Sequence, residues 1–217
     1  MLYIVATPIG NLKDITLRAL EILKSVDLIA CEDTRHTKIL LDHYQITKPL
    51  TSYHSYNKIK KGDYLLGLLK QNKSIALVSD SGTPGISDPG AHLIRRAQEE
   101  NIPITAIPGP TALITGLILS GLSTNKFTFE GFLPVKSGAR LKRLNELLGV
   151  GATVIIYESP HRLIKLLEEI HSIDADRSIV CARELTKKFE EIKRDKVSNL
   201  LTYFKTRVPR GEFIVIF

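Results

Sequence analysis

The chain has 217 residues and a mass of 24.2 kDa, a length that suits one large domain or two compact ones. Its composition, 43% hydrophobic and 24% charged, is that of a globular protein and excludes an intrinsically disordered chain. The longest apolar run, Ala112–Leu122, is interrupted by Gly, Ser and Thr, which excludes a membrane span. The N-terminus lacks the basic region of a secretory signal. Both cysteines, Cys31 and Cys181, lie in apolar surroundings, so we expect buried thiols in a cytoplasmic protein.

Basic residues exceed acidic ones, and the excess is uneven along the chain. The net charge is +7, from 30 Lys and Arg against 23 Asp and Glu. Residues 136–210 carry 16 basic and 10 acidic side chains, whereas residues 1–135 carry 14 and 12. Such an excess in one half is typical of a surface that faces a polyanion. An ordinary lysine-rich solvated surface explains the charge equally well.

The first half alternates short apolar runs with helical patterns. Runs such as Ile75–Val78 lack polar alternation, which is typical of strands covered on both faces of a parallel sheet. Asp88-Pro89 marks a helix start, because Asp caps well and Pro suits the first turn. The predicted strands are Leu2–Ala6, Leu28–Cys31, a weaker Leu50–Tyr53, Ser74–Val78 and Pro103–Ile107. The predicted helices are Ile15–Lys24, Thr37–Asp42, Asn57–Gln71, Pro89–Glu100 and Thr111–Ser120.

The second half repeats this alternation less regularly. Ser159-Pro160 marks another helix start, and leucines after it form an apolar stripe at helical spacing. The predicted strands are Phe127–Phe132, Thr153–Tyr157, Ser178–Arg183 and Glu212–Phe217, and the predicted helices are Ala139–Leu148, Pro160–His171 and Val197–Thr206. A polar stretch near Leu122–Lys126 separates the halves. We therefore predict an α/β protein with two lobes, residues 1–122 and 123–217.

Three loops rich in Gly and Pro each follow a predicted strand of the first lobe. The carboxyl ends of parallel strands share one edge of a sheet, where ligands bind, and Gly lets a ligand approach the backbone. Tight structural turns are the alternative. No dinucleotide fingerprint, P-loop, zinc-peptidase or serine-hydrolase motif occurs. The loops are Thr7-Pro8-Ile9-Gly10-Asn11, Ser79–Gly90 and Pro108-Gly109-Pro110-Thr111-Ala112.

Charged clusters follow further strand ends in both halves. Glu32-Asp33-Thr34-Arg35 follows the second strand, Tyr157–Arg162 lies at a strand-to-helix junction, and Arg183–Lys187 follows another strand. Each cluster, taken alone, has an equally good structural explanation. These are an Asp/Arg ion pair for the first, a helix cap for the second and a solvated turn for the third. Together, the three clusters indicate a cleft. The histidines show no metal-ligand spacing, so we assign no metal site.

In chain order, these motifs resemble the signatures of the tetrapyrrole (corrin/porphyrin) methylase family. Within it, the sequence is similar to the bacterial methyltransferases that 2′-O-methylate a cytidine of 16S ribosomal RNA, from Leu2 to Phe217. Those relatives usually continue beyond the last predicted strand into a small C-terminal extension, and we expect weaker RNA binding if that extension grips RNA. The motifs are the three loops, Asp14-Ile15-Thr16, the three charged clusters and Phe129-Glu130-Gly131-Phe132-Leu133-Pro134.

The resemblance implies S-adenosyl-L-methionine as methyl donor, with S-adenosyl-L-homocysteine as product. It also implies a mixed sheet in the second lobe, a donor cleft between the lobes and a homodimer. Backbone amides suit a donor with a zwitterionic tail. The donor-binding residues expected on this basis are Pro8, Ile9, Gly10, Asp80, Ser81, Gly82, Thr83, Pro84, Pro108, Gly109, Thr111, Ala112, Tyr157, Glu158, Ala182 and Gly211.

The ribose hydroxyl is a weak nucleophile, so a base or a nearby charge must assist its deprotonation. The candidate catalytic residues are Glu32, Asp33, Arg35, Glu184 and Lys187, with Lys187 acting as base if its pKa falls towards neutrality. The candidate contacts to 16S rRNA or the small ribosomal subunit are Lys136, Arg140, Lys142, Arg143, His161 and Arg162. A tetrapyrrole methylase of the same fold and a non-catalytic RNA-binding or assembly protein remain alternative functions.

Overall fold

The computed structural model describes all 217 residues, which form two compact units, Met1–Thr111 and Ala112–Phe217. Each unit is built on a five-stranded sheet with helices packed against it. The predicted α/β class is therefore confirmed. No helix of the chain is both long and apolar enough to cross a membrane.

The first unit has a fully parallel sheet with strand order β3-β2-β4-β1-β5. Its central strands are buried along their whole length, which explains their unbroken apolar sequences. The strands are β1 (Leu2–Val5), β2 (Leu28–Cys31), β3 (Leu50–Ser52), β4 (Ile75–Leu77) and β5 (Ile104–Ile107). The helices are α1 (Leu17–Ser25), α2 (Thr34–His43), α3 (Lys58–Lys70) and α4 (Gly90–Glu99).

Two apolar clusters cover the faces of this sheet. On one face, Leu2, Ile75 and Leu77 pack with Leu65 of α3 and Leu93 of α4. On the other face, α1 and α2 cover the side chains that alternate with these along the strands, among them Val5, Ile29 and Ala76. The first unit is thus a three-layered parallel α/β structure, as the sequence predicted.

The second unit has a mixed sheet with strand order β6-β7-β10-β8-β9, in which only β6 and β7 are parallel. The strands are β6 (Phe127–Phe132), β7 (Thr153–Glu158), β8 (Ser178–Arg183), β9 (Glu191–Lys196) and β10 (Phe213–Ile216). The helices are α5 (Ala112–Ser120), α6 (Ser137–Leu148), α7 (Pro160–Ile173) and α8 (Val197–Thr206). A single apolar cluster joins the sheet to α6, α7 and α8.

The helix α5 belongs to the second unit. Its Gly116 lies so close to β10 that a Cβ atom there would be 3.1 Å from Cδ1 of Ile214. The domain limits inferred from the sequence, 1–122 and 123–217, instead placed this helix with the first unit. The difference arises because α5 is apolar on most sides and its sequence does not show which sheet it covers.

The largest differences from the prediction concern two elements, whereas others, such as α1 and α6, differ by one or two residues at their ends. The strand β9 was not predicted, and α2 begins at Thr34 rather than Thr37 because Asp33 caps it, accepting a hydrogen bond from the Arg35 amide. The start of α7 is as predicted, with Ser159 as N-cap and Pro160 in the first turn. Both cysteines are buried free thiols, as expected.

Candidate functional site

The loops at the carboxyl edge of the first sheet form the candidate donor site. Because the five strands are parallel, the segments that follow them all leave from this edge. In spatial order they are the segment after β3, the Glu32–Arg35 cluster after β2, the loop after β4, the loop after β1 and the loop after β5. The three Gly- and Pro-rich loops are therefore neighbours.

Hydrogen bonds join the loops after β1 and β4. Thr7 and Gly82 exchange two backbone hydrogen bonds, of 2.9 and 3.1 Å, as an isolated antiparallel bridge. The buried hydroxyl of Thr7 also donates to the carbonyl of Ser79 at 3.1 Å. The Ser79 hydroxyl in turn donates within its own loop, to Ser81 and Gly82. These bonds fix the loop backbones before any ligand arrives.

Gly82 lies where all three loops meet. Its φ of +81° is in the left-handed region, and a Cβ atom there would lie 3.4 Å from Ile9 and 3.6 Å from the carbonyl oxygen of Pro110. The Thr83 hydroxyl donates to the same carbonyl oxygen at 3.1 Å. A side chain at Gly82 would therefore strain the backbone and fill the junction of the loops.

Gly109 serves a different contact. A Cβ atom at this position would lie 2.9 Å from Cβ of Ala6, closer than such atoms approach in proteins. The β5 loop comes so close to the end of β1 that only glycine fits at position 109, whether or not a ligand is bound.

The acidic residues after β2 and β4 are linked through the backbone. The Asp33 amide donates to Oδ1 of Asp80 at 3.0 Å. The Asp33 carboxylate receives two side-chain hydrogen bonds from Arg35, at 3.1 and 2.6 Å, and these bonds lower the pKa of Asp33. Asp33 and Arg35 thus form an ion pair, the structural alternative considered for this cluster, and Asp33 also caps α2.

Glu32 faces a small cavity of about 10 Å³, which it shares with Tyr53, Ser79 and Asp88. Burial is the main cause that raises the pKa of Glu32, and the negative charges of Asp80 and Asp88 raise it further. Burial also raises the pKa of Tyr53 to about 12 and that of Asp88, although Asp88 accepts hydrogen bonds from Gly85 and Gly90. Among the candidate catalytic residues, Glu32 is therefore the one whose surroundings favour the protonated carboxyl group.

In the second unit, Tyr157 and Glu158 occupy the end of β7. The Tyr157 hydroxyl accepts a hydrogen bond from the Leu113 amide at 3.0 Å, and its ring lies 4.9 Å from that of Phe129. The side chain of Glu158 is fully buried, and this burial raises its pKa. Its Oε1 accepts from the Ser159 amide, whereas its buried Oε2 has no hydrogen-bond partner.

Gly211, Glu184 and Lys187 form one cluster at the ends of β8 and β10. Gly211 has a φ of +87°, and the carboxylate of Glu184 lies against its Cα, where a side chain would collide. Lys187 pairs with Glu184 at 3.0 Å and with Glu212 at 2.9 Å. Burial lowers the pKa of Lys187, but the hydrogen bonds to both carboxylates outweigh this effect and raise it. The pKa of Lys187 is thus raised rather than lowered, which favours a structural ion pair over the basic role predicted for it.

Three of the six candidate RNA contacts, Arg140, Arg143 and Arg162, are held by partners within the protein. Arg162 lies 3.3 Å from Oε1 of Glu158 and donates to the Leu133 carbonyl at 2.8 Å. Arg140 is only 3% exposed and forms a two-point ion pair with Glu169, with distances of 2.5 and 2.7 Å. Its role as an RNA contact is therefore corrected to a structural one. Arg143 pairs with both Glu130 and Glu146. The remaining candidates include three exposed side chains, those of Lys136, Lys142 and His161.

The sequence did not reveal the residues that line the Glu32 cavity or that join the loops by hydrogen bonds. Tyr53 and Asp88 line the Glu32 cavity, but as single residues of a strand end and a helix start they carried no chemical signal. Thr7 and Ser79 were recognised only as parts of motifs, and their cross-loop hydrogen bonds depend on neighbours more than 70 residues away. Ala182 pairs in register with Ile214 and is buried inside the second sheet.

The carboxyl edge of a parallel sheet is where open α/β proteins bind their ligands. The model of the tetrapyrrole (corrin/porphyrin) methylases matches residues 1–201, and the chain belongs to this family.

Curated relatives are similar along the whole chain. A protein named ribosomal RNA small subunit methyltransferase I from Synechocystis is 50% identical over 100% of this chain and 78% of its own length. The protein of that name from Escherichia coli O157:H7 is 49% identical over 99% and 76%, and the one from Thermotoga maritima is 45% identical over 99% and 96%.

Solved structures share the fold. A diphthine synthase superposes with a TM-score of 0.78 at 16% identity, covering 100% of this chain and 88% of that one. Cobalt precorrin-4 methyltransferase gives a TM-score of 0.70 at 17% identity, covering 99% and 93%. At such identities these structures support the architecture alone, and they confirm the predicted fold.

Proposed function

We propose that the chain is an S-adenosyl-L-methionine-dependent methyltransferase that acts in the cytoplasm on the 2′-hydroxyl of a cytidine in 16S rRNA. Identity of 45–50% along the full chain to proteins named ribosomal RNA small subunit methyltransferase I is the observation that carries the proposal. Family membership supports methyl transfer, and the choice of RNA rests on those relatives and on the positive charge.

The loops of the first unit suit the proposed donor. Gly10 of the loop after β1 and Ser81 of the loop after β4 are exposed, and Ser81 precedes the buried Gly82, whose left-handed backbone lies at the junction of the three loops. The pre-formed bridge between Thr7 and Gly82 holds these backbone groups in place. When bound, the donor supplies an electrophilic methyl group on a sulfonium. The exposed loop backbones would hold its zwitterionic tail, and Tyr157, Glu158, Ala182 and Gly211 stay predicted contacts of the second unit.

Glu32 is the residue that we propose to accept the proton of the ribose hydroxyl. Its raised pKa brings it closer to the pH of the reaction, which favours a general base. Asp33 is held by Arg35 and Asp80, so it orients the loop rather than moving a proton. Alignment of the hydroxyl with the methyl carbon is expected to supply much of the remaining acceleration.

Methyl transfer from radiolabelled donor to isolated small ribosomal subunits, followed by nucleoside analysis, tests this function. We expect label in 2′-O-methylcytidine, and deproteinised 16S rRNA as a second substrate distinguishes free from assembled RNA. Label in a tetrapyrrole but in neither RNA would replace the proposal with the small-molecule function. Donor binding without transfer to any substrate would contradict enzymatic function.

We also propose that the active form is a homodimer. Three apolar side chains of α5 are exposed: Ile114, Ile118 and Leu119 are 38%, 66% and 41% exposed. Such a patch on a helix suits burial against a second copy. Sedimentation equilibrium should give twice the mass of 24.2 kDa, and Ile118→Glu should shift the protein towards the monomer.

A further inference from the structure

The segment between β3 and α3 presents unusually exposed aromatic and apolar side chains. Tyr56 is 100% exposed, and Ile59 and Tyr64 are 61% and 51% exposed on the adjoining first turns of α3. We call residues 54–64 the β3–α3 surface. The Tyr56 ring centroid lies 6.1 Å from that of His54, but the side chain is fully exposed, so its ring is available to a partner.

The β3–α3 surface is also basic. It carries Lys58, Lys60 and Lys61 against a single acid, Asp63, which pairs with Arg96 at 2.5 Å. Lys61 donates to the Thr51 hydroxyl at 3.0 Å and lies 5.3 Å from the Tyr64 ring. The charges of Lys58 and Lys60 are therefore not balanced by an acid of this segment.

The backbone that carries Tyr56 is held in place. Tyr53 is 1% exposed, and its amide donates to the carbonyl of Cys31 at 2.7 Å. Asn57 accepts a hydrogen bond from the His54 amide at 2.8 Å and donates to the carbonyl of Ser52 at 3.3 Å. Tyr56 thus projects from a loop that is fixed on both sides, which lowers the entropic cost of binding through its ring.

The β3–α3 surface lies beside the candidate catalytic residue. Ser52 at the end of β3 pairs in register with Cys31 at the end of β2, so the residues after each leave the sheet together. His54 is close enough to interact electrostatically with Glu32, and Tyr53 lines the Glu32 cavity. Because strands are about 5 Å apart, the β3 end lies about 10 Å from the β4 loop of the donor site.

We propose that the β3–α3 surface binds a single-stranded stretch of the RNA substrate next to the target nucleotide. The Tyr56 ring stacks on an unpaired base, and Lys58 and Lys60 contact phosphates, as in other single-strand binding grooves. This inference rests on the proposed function. Lysines interleaved with the aromatic residue favour RNA over a protein partner, because lysine is depleted at protein interfaces.

Tyr56→Ala, with Tyr56→Phe as the matched control, tests the stacking. Removing one stacked base should weaken binding to deproteinised 16S rRNA by about five- to a hundredfold, whereas Phe keeps the ring and should bind within about twofold of the parent. Calorimetric affinity for S-adenosyl-L-methionine should be unchanged in both. The proposal is overturned if Tyr56→Ala binds deproteinised rRNA as tightly as the parent does. If this variant binds only the assembled subunits more weakly, Tyr56 contacts a protein, and the proposal is also overturned. Failure of the parent to bind either RNA instead defeats the proposed function.

Lys58→Gln combined with Lys60→Gln tests the phosphate contacts. Removing one phosphate contact should flatten the slope of log affinity against log salt by about 0.7 to 0.9, so the double variant should flatten it by about 1.4 to 1.8. The matched control is Lys24→Gln with Lys48→Gln, because these residues lie near the amino ends of β2 and β3, at the opposite edge of the sheet. Equal slopes for the two double variants overturn the assignment of these lysines.

Discussion

The ionised form of the Glu32 carboxyl group destabilises the folded protein. Burial and the charges of Asp80 and Asp88 raise its pKa above the ordinary value of 4.5. Ionisation therefore costs more in the folded than in the unfolded protein, and stability is lost as pH rises through the folded pKa. Glu32→Gln should raise the thermal unfolding midpoint at pH 7 and leave it unchanged below about pH 4, where the carboxyl is protonated. The same variant should slow single-turnover methyl transfer by about a hundredfold or more.

Asp33→Asn serves as the control, because its effect on stability at neutral pH should be opposite in sign to that of Glu32→Gln. The pKa of Asp33 is lowered by the Arg35 hydrogen bonds, so its stabilisation is present at neutral pH and lost as pH falls. Its Asn variant should melt slightly earlier at pH 7 and transfer methyl groups within a few-fold of the parent. A slow Asp33→Asn or Lys187→Met variant together with a fast Glu32→Gln variant would reassign the base.

At the scale of elements, the close approach of the β5 loop to β1 predicts a compensating pair of substitutions. Gly109→Ala places a Cβ atom 2.9 Å from that of Ala6, so it should lower the free energy of unfolding by about 1–3 kcal/mol and weaken donor binding. Adding Ala6→Gly removes the collision and should restore most of the donor affinity in calorimetry. Gly82→Ala offers no such rescue, because the φ of +81° strains any side chain.

A second prediction at this scale concerns the ion pair between α6 and α7. The side chains of Arg140 and Glu169 are 4% and 9% exposed, and removing one partner strands a buried charge. Arg140→Met should cost about 3–5 kcal/mol in urea unfolding, and Arg140→Met with Glu169→Leu should recover most of that loss. Below the melting temperature, Arg140→Met should bind 16S rRNA as the parent does. A selective loss of RNA affinity would return Arg140 to the RNA surface.

The elements also show which sequence patterns carry structural information. Strands of the first sheet were predicted because burial on both faces demands continuous apolar residues. The missed strand β9, Glu191–Lys196, lies at a sheet edge and is mostly charged, as edge strands often are. Its pairing with β8 in the fold, rather than its own hydrophobicity, makes it a strand.

At the scale of the whole molecule, the sequence predicted the features of the site that depend on local patterns and missed those that depend on partners in the fold. The strand-end motifs and the parallel sheet were sufficient to bring three loops to one edge. The state of individual charges was not predictable, since it depends on partners that are distant in sequence. Arg140 is neutralised by Glu169, 29 residues away, and the pKa of Lys187 is raised partly by Glu212.

These ion pairs change what the net charge of +7 implies for RNA binding. Arg140 and Arg143 are paired with acids, so among the lysines and arginines proposed at the start of α6 only Lys136 and Lys142 are exposed. Lys136→Gln with Lys142→Gln should flatten the slope of log affinity for 16S rRNA against log salt by about 1.4 to 1.8 between about 50 and 200 mM salt. Arg143→Gln should change this slope by less than the value of about 0.7 to 0.9 for one phosphate contact, because its charge already faces Glu130 and Glu146. A parent slope near zero would contradict electrostatic binding altogether, and a change of about 0.7 to 0.9 in Arg143→Gln would show that its acidic partners release it to the RNA.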